Sequence, residues 1–302
     1  MPLHLSTPLL ESLPLSRLHH TQVWLKMEAL QPAGSFKIRG IGHACEHHVA
    51  QGARRFITSS GGNAGLAVAY AGRRLGVPVV VVVPQTTTER ARDLLGLEGA
   101  EVLIHGASWA KANTFALSLK TVTDAFIHPF DDPLLWQGHA SMIDEVVAAG
   151  LRPDAVILSV GGGGLLAGVA EGLRRNGLGA TPVYTAETVG MASYKAALDA
   201  GKPVELPVLS GIATTLGARQ VCQQAFEVSR ERQVIPSTVT DREAVDACLG
   251  FLADHRVLVE PACGAALALL YGEKIALSHL SNVLVIVCGG STTTLEALTG
   301  FQ

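Results

Sequence analysis

Lys37 sits in Gly34-Ser35-Phe36-Lys37-Ile38-Arg39-Gly40, where a small-residue turn leads into a lysine flanked by Phe and Ile. A lysine in a partly apolar setting has a depressed pKa, and its free amine is then a nucleophile toward an aldehyde. Taken alone, a lysine at a helix start is most often an ordinary surface residue. Three other segments change its meaning.

Thr58-Ser59-Ser60-Gly61-Gly62-Asn63-Ala64-Gly65 follows a strand-like run and opens a helix-like one. Such a turn presents backbone N–H groups and small hydroxyls where an anion is favoured. A helix cap accounts for one such residue, not for two serines, several glycines and an asparagine together. Ser59, Ser60 and Asn63 are therefore candidates for holding a carboxylate and a ring oxygen.

Val160-Gly161-Gly162-Gly163-Gly164-Leu165-Leu166 again joins a strand to a helix. Consecutive glycines let several N–H groups point at one phosphate. The spacing fits neither the Walker lysine loop nor the dinucleotide fingerprint. Val287-Cys288-Gly289-Gly290-Ser291-Thr292 follows the last strand-like run and puts a thiol where open α/β sheets bind ligands. No histidine or basic residue lies near Cys288 in sequence, so a nucleophilic cysteine is disfavoured.

The elements that must position these groups alternate between strand and helix periods, the pattern of an α/β protein with mostly parallel strands. Strands are predicted over Arg55–Ser59, Val79–Val83, Glu101–His105, Ala155–Val160, Val183–Ala186 and Val283–Val287. Helices are predicted over Asn63–Leu75, Thr87–Leu95, Ala110–Val122, Ala140–Ala149, Leu165–Asn176 and Asp241–Ala253. The expected architecture is two open, twisted, mostly parallel sheets with helices on both faces. Residues 1–37 and 131–302 would form a larger domain and 38–130 a smaller inserted one, with the early run Val23–Lys26 joining the larger sheet.

The 302 residues are 48% hydrophobic and 16% charged with a net charge of −3, which argues against nucleic-acid or anionic-membrane binding. The apolar run Pro78–Pro84 is too short to span a bilayer, and Met1–Leu18 lacks the pattern of a secretory leader. Cys45, Cys222, Cys248, Cys263 and Cys288 form no CxxC pair or zinc pattern, so a reducing cytoplasm is the expected location.

The order of lysine, SSGGNAG, GGGG and CGGS resembles that of fold type II, tryptophan synthase β-like, pyridoxal-phosphate enzymes. Within these the chain is similar to the catabolic L-serine/threonine dehydratases. The resemblance runs through Ser35–His43, Ser59–Gly65, Pro129–Ser141, Ser159–Leu166, Val259–Ala268 and Val285–Ser291. It implies pyridoxal 5'-phosphate as cofactor and β-elimination of water from L-serine or L-threonine, with hydrolysis to pyruvate or 2-oxobutanoate plus ammonia. It implies Lys37 as the residue that bonds the cofactor and then takes the substrate's α-proton, with Phe36 packed on the ring. It assigns Ser59, Ser60, Gly61 and Asn63 to the substrate, with Asn63 also touching the ring oxygen, Gly161 to Gly164 and Leu165 to the phosphate, and Cys288 to the ring nitrogen.

A monovalent cation, K⁺ among the options, is implied at Gly161, Glu187, Met191, Ser193, Leu216 and Ala218, and a homodimer is the family expectation. Gly61 stands where liver-type enzymes carry alanine, which predicts a looser substrate fit and modest turnover. Ser60 also leaves serine racemisation open, because a racemase needs a second acid or base on the opposite face. A dinucleotide-dependent oxidoreductase, suggested by glycines after a strand, is disfavoured by the missing fingerprint and by Lys37.

Overall fold

A computed structural model describes residues 1–301. Ten strands run in chain order: β1 (Leu9–Glu11), β2 (Gln22–Lys26), β3 (Arg55–Thr58), β4 (Val79–Val83), β5 (Glu101–Ile104), β6 (Asp124–Phe126), β7 (Ala155–Ser159), β8 (Val183–Thr188), β9 (Val234–Val239) and β10 (Asn282–Ile286). They form a six-stranded sheet of order β1-β2-β10-β7-β8-β9 and a four-stranded sheet of order β5-β4-β3-β6. Every pairing is parallel except β1 with β2. Val23–Lys26 does join the larger sheet, pairing with β10 from Gln22↔Asn282 to Lys26↔Ile286.

Continuous apolar runs give the central strands because parallel sheets are covered on both faces. All five residues of β4 and all five of β7 are buried. The larger sheet and its helices enclose one core. The smaller sheet has a second, completed by Ile38, Ile41, Ala44 and Cys45 of helix Lys37–Ala50. That helix therefore starts beside the carboxyl end of β10, an inner strand of the larger sheet, and packs its apolar face into the smaller core.

The helices at Asn63–Leu75 and Gly164–Arg175 fall within a residue of expectation. Helix Pro133–Ala148 begins earlier than expected because Asp132 caps it, accepting from Leu134 N–H, with proline in the first turn. Helix Pro261–Tyr271 and strand β9 are among the elements that the sequence reading did not include. Helix Pro261–Tyr271 is buried from Pro261 through Leu270, so it has no amphipathic period to read. Strand β9 contains Pro236, which it tolerates as an edge strand.

Candidate active site

Lys37 is the first residue of helix Lys37–Ala50. The turn before it is fastened to the end of β10: Phe36 N–H donates to Cys288 carbonyl oxygen at 3.1 Å and Gly290 N–H to Gly34 carbonyl oxygen at 2.8 Å. A bridge between Ser35 and Gly289 completes the junction. The lysine motif and CGGS, some 250 residues apart, thus form one piece of backbone. Lys37 Nζ donates to the Pro129 carbonyl at 2.7 Å and lies 5.1 Å from the Phe36 ring centre. Its side chain is half-buried, and burial of the ammonium brings its pKa down to about 8 against the opposing pull of the Glu260 carboxylate. The positive end of a helix dipole acts in the same direction.

The glycine loop has the open donors a phosphate needs. Among the described residues, no N–H from Gly161 through Leu166 donates to another protein group, and no side chain caps helix Gly164–Arg175. Six successive donors at the start of a twelve-residue helix fit a dianion. Gly163 takes φ +95° to make the turn. Gly162 lies flat on Phe130, where an added Cβ would stand 2.3 Å from Cγ of the ring.

The segment His128–Trp136 is the scaffold under both groups. His128 Nδ1 accepts from Phe130 and Asp131 N–H, and Trp136 Nε1 donates to the Phe130 carbonyl. Phe130 and the Pro129 carbonyl were missed as site residues by sequence reasoning. The only signal for them is that they lie within the matched Pro129–Ser141 segment.

Asn63 opens helix Asn63–Leu75, and Gly62 holds the cap position with no side chain bonded there. The serines are therefore not helix caps. Ser59 is fully buried and donates to Asn113 Oδ1 at 2.7 Å, so its hydroxyl proton is committed. Ser60 and Gly61 are half-buried, and Ser60 Oγ receives only a long contact of 3.4 Å from Gly62 N–H. Asn63 donates through Nδ2 to Glu260 Oε1 at 2.6 Å and accepts from Ser291 N–H at 3.0 Å. Gly61 differs in its surroundings from the sequence expectation. The nearest atoms to an added methyl belong to Thr87 and Val83, so space for it is set by the protein wall as well as by substrate.

Cys288 is buried, and hydrogen bonding with Cys263, reinforced by burial, drives its thiol well above the ordinary range. It is a neutral thiol. All five cysteines are free. Phe36 stacks at a tilt on His139, centres 4.9 Å apart.

The chain matches the model of the family described as "Pyridoxal-phosphate dependent enzyme" over residues 1–289. The protein belongs to this family. It is 46% identical to the L-serine dehydratase of Dictyostelium discoideum, over 98% of this chain and 91% of that one. It is 45% identical to the human L-serine dehydratase/L-threonine deaminase, over 98% of this chain and 94% of that one. Among solved structures it is similar to a fungal L-serine ammonia-lyase from Rhizomucor miehei, with a TM-score of 0.93 and 36% identity over 99% of this chain and 98% of that chain. Pyridoxal phosphate fits the residues present: an amine of lowered pKa, a run of free N–H donors and a buried thiol are joined through Pro129, Phe130 and the Phe36–Cys288 hydrogen bond.

The implied cation residues are only partly free. Glu187 is buried and accepts from Tyr194 and Lys195 N–H, both at 2.8 Å. Leu216 carbonyl oxygen accepts from Ala218 N–H at 2.6 Å and faces Gly161. Met191 is buried nearby, and Ser193 Oγ is buried with no hydrogen-bond partner among the described residues. No cluster of three His, Cys, Asp or Glu suited to a metal ion occurs among them. No helix there is long and apolar enough to cross a membrane.

Proposed function

We propose that the chain eliminates water from L-serine and L-threonine, and that the resulting enamine takes up water again to give pyruvate or 2-oxobutanoate plus ammonia. What supports this reading is the near full-length similarity to L-serine dehydratases, together with the buried thiol of Cys288 at the end of the last strand. Pyridoxal phosphate, when bound, supplies an aldehyde for the substrate amine and a ring that draws electrons from the α-carbon. A thiol cannot keep the ring nitrogen protonated as a carboxylate can, so the pull is mild. Elimination suits a mild pull because the β-hydroxyl leaves with the electron pair.

The residues divide the work. Gly161 to Gly164 and Leu165 would hold the phosphate, Phe36 would support the ring, and Cys288 would face its nitrogen. Ser60, Gly61 and Asn63 hold the substrate carboxylate, with Ser59 fixing the loop through Asn113. Lys37, with a pKa of about 8, supplies enough neutral amine near pH 7 to 8 to take the α-proton. The enamine product then hydrolyses in water to the keto acid and ammonia. Residues 1–37 and 131–302 serve as the cofactor domain and 38–130 as the substrate domain. K⁺ beside the glycine loop, a homodimer and a cytoplasmic location complete the reading.

Incubation with L-serine and L-threonine, measuring keto acid, ammonia and D-serine together, tests it. Keto acid and ammonia in equal amounts are expected, lost in Lys37→Ala and greater in K⁺ than in Na⁺. D-serine as the main product would instead make Ser60 the second acid or base of a racemase.

A further inference from the structure

We propose that Glu260 is a positioning residue: its carboxylate holds the Asn63 amide in one orientation and ties the substrate loop to the large sheet. Glu260 precedes helix Pro261–Tyr271 in the cap position, yet its side chain accepts no N–H from that helix. It turns away and receives three other donors. These are Asn63 Nδ2 at 2.6 Å and Thr215 Oγ1 at 2.5 Å on Oε1, and Thr292 Oγ1 at 3.1 Å on Oε2. The residue is only 4% exposed. A buried carboxylate given up as a cap and satisfied by three separate segments is held for those segments.

Asn63 shows what is gained. Its Oδ1 accepts from Ser291 N–H while its Nδ2 donates to Glu260. Rotating the amide by half a turn would set Oδ1 against a carboxylate oxygen and Nδ2 against an N–H. Both contacts would be repulsive, so only one orientation survives. Nδ2 has two hydrogens and Glu260 takes one. The other is left for an acceptor in the cleft, with its direction already fixed.

The local backbone is built around this carboxylate. Gly290 has φ +133°, and an added Cβ would stand 2.0 Å from Glu260 Cδ. Only glycine lets the loop after Cys288 pass so close. Burial pushes the Glu260 carboxyl above its ordinary range, while the hydrogen bonds from Thr215, Thr292 and Asn63 and the field of Lys37 pull the other way. The proposal rests on the reading of Lys37 and Asn63 as residues of the cofactor pocket.

The test is a double-mutant cycle on the holoenzyme with Glu260→Gln, Asn63→Ala and their combination. The readouts are the dissociation constant of pyridoxal phosphate, the visible circular dichroism of the bound cofactor, kcat and KM for L-serine, and thermal unfolding. Glu260→Gln should stay folded, alter the dichroism and lower kcat by about tenfold or more with a smaller change in KM. In the Asn63→Ala background it should add less than about twofold to kcat and to the cofactor dissociation constant, because its partner is gone. Losses that multiply in full in the double variant would overturn the proposal, as would a Glu260→Gln protein indistinguishable from the parent. If Glu260→Gln does not fold, Thr292→Val removes one donor alone and should give the same signature on a smaller scale. An unchanged Thr292→Val would then count as refutation. Borohydride reduction of the unsubstituted holoenzyme should link the pyridoxyl group to Lys37. Its failure there would remove the pocket reading itself, separately from Glu260.

Discussion

Gly61 lies so close to Thr87 that a methyl group on it would stand 2.8 Å from Thr87 Cγ2 and 3.1 Å from its Oγ1, with Val83 Cγ1 also at 3.1 Å. Thr87 is half-buried and on a turn, so it can yield, whereas Val83 is fully buried in β4 and cannot. Gly61→Ala should therefore lower stability by about 1–2 kcal/mol, the ordinary scale of overpacking. Unfolding should shift down by a few degrees, at roughly 2–4 °C per kcal/mol for a chain of this size. Gly61→Ala/Thr87→Ser, which removes the closest methyl, should recover most of the loss. Differential scanning calorimetry of the four proteins checks it. A double variant no better than Gly61→Ala would show that the wall at Thr87 does not limit residue 61.

Lys37 gives a prediction whose sign is set by its pKa of about 8 in the fold against an ordinary 10.5. Below pH 8 both the folded and the unfolded chain bind this proton, and the folded chain holds it at a cost. Between about pH 8 and 10.5 only the unfolded chain binds it, so this group's share of stability rises with pH. Lys37→Met should therefore be more stable than the parent apoprotein below pH 8, and the gap should close as pH rises toward 10.5. Other titrating groups are common to both proteins and cancel in the difference. Melting temperatures of the two apoproteins from pH 6.5 to 10.5 test this. A gap independent of pH would mean that the ammonium is not desolvated.

Much of this site could be read from sequence because its parts are local. Gly161–Gly164 and Ser59–Asn63 each join a strand to a helix, and backbone donors at a helix start follow from chain order alone. Glu260 could not be read in that way. Its partners Asn63, Thr215 and Thr292 lie 197, 45 and 32 residues distant, and nothing in the residues beside it marks a carboxylate that leaves its own helix. The commitment of Ser59 to Asn113 was hidden for the same reason. In the fold, central strands announced themselves as apolar runs. Edge strand β9 and helix Pro261–Tyr271, buried from Pro261 through Leu270, lack the contrast between faces on which periodicity depends.

Arg39, two residues beyond Lys37, is a fully buried guanidinium held by two carboxylates. It donates to Glu28 at 2.7 and 2.8 Å and to Glu145 at 2.8 and 2.7 Å, while Lys26 Nζ donates to Glu145 at 2.5 Å. Two cations and two anions balance, so removing one leaves a buried charge. Arg39→Met should cost about 3–5 kcal/mol, and Arg39→Met/Glu28→Gln should cost less than the single change. Burial pushes the Glu145 carboxyl up, but Arg39 and Lys26 outweigh it and hold the pKa below the ordinary range. The stability that Glu145 contributes is thus complete above its unfolded pKa and is lost as pH falls through the folded one. Urea unfolding at pH 7 and pH 4 should show the penalty of Arg39→Met shrinking in acid. An equal penalty at both values would place the stabilisation elsewhere.

The contact between Gly162 and Phe130 makes the shape of the glycine loop depend on a side chain outside it. A Cβ on Gly162 would lie 2.3 to 2.5 Å from three ring carbons of Phe130, too near for either to stay in place. Gly162→Ala must therefore lift the loop or displace the ring, at about 1–3 kcal/mol. If the loop is what moves, its free N–H groups lose their aim, and the dissociation constant of pyridoxal phosphate should rise by roughly 5- to 150-fold. Phe130→Ala opens the space while keeping the backbone carbonyl that Trp136 Nε1 uses. That substitution alone should weaken cofactor binding by no more than a few fold, and combined with Gly162→Ala it should restore most of the affinity. Equilibrium titration of the four apoproteins with pyridoxal phosphate, read by protein fluorescence, decides the matter. A double variant as weak as Gly162→Ala would mean that the glycine serves the phosphate directly and not through its packing on Phe130.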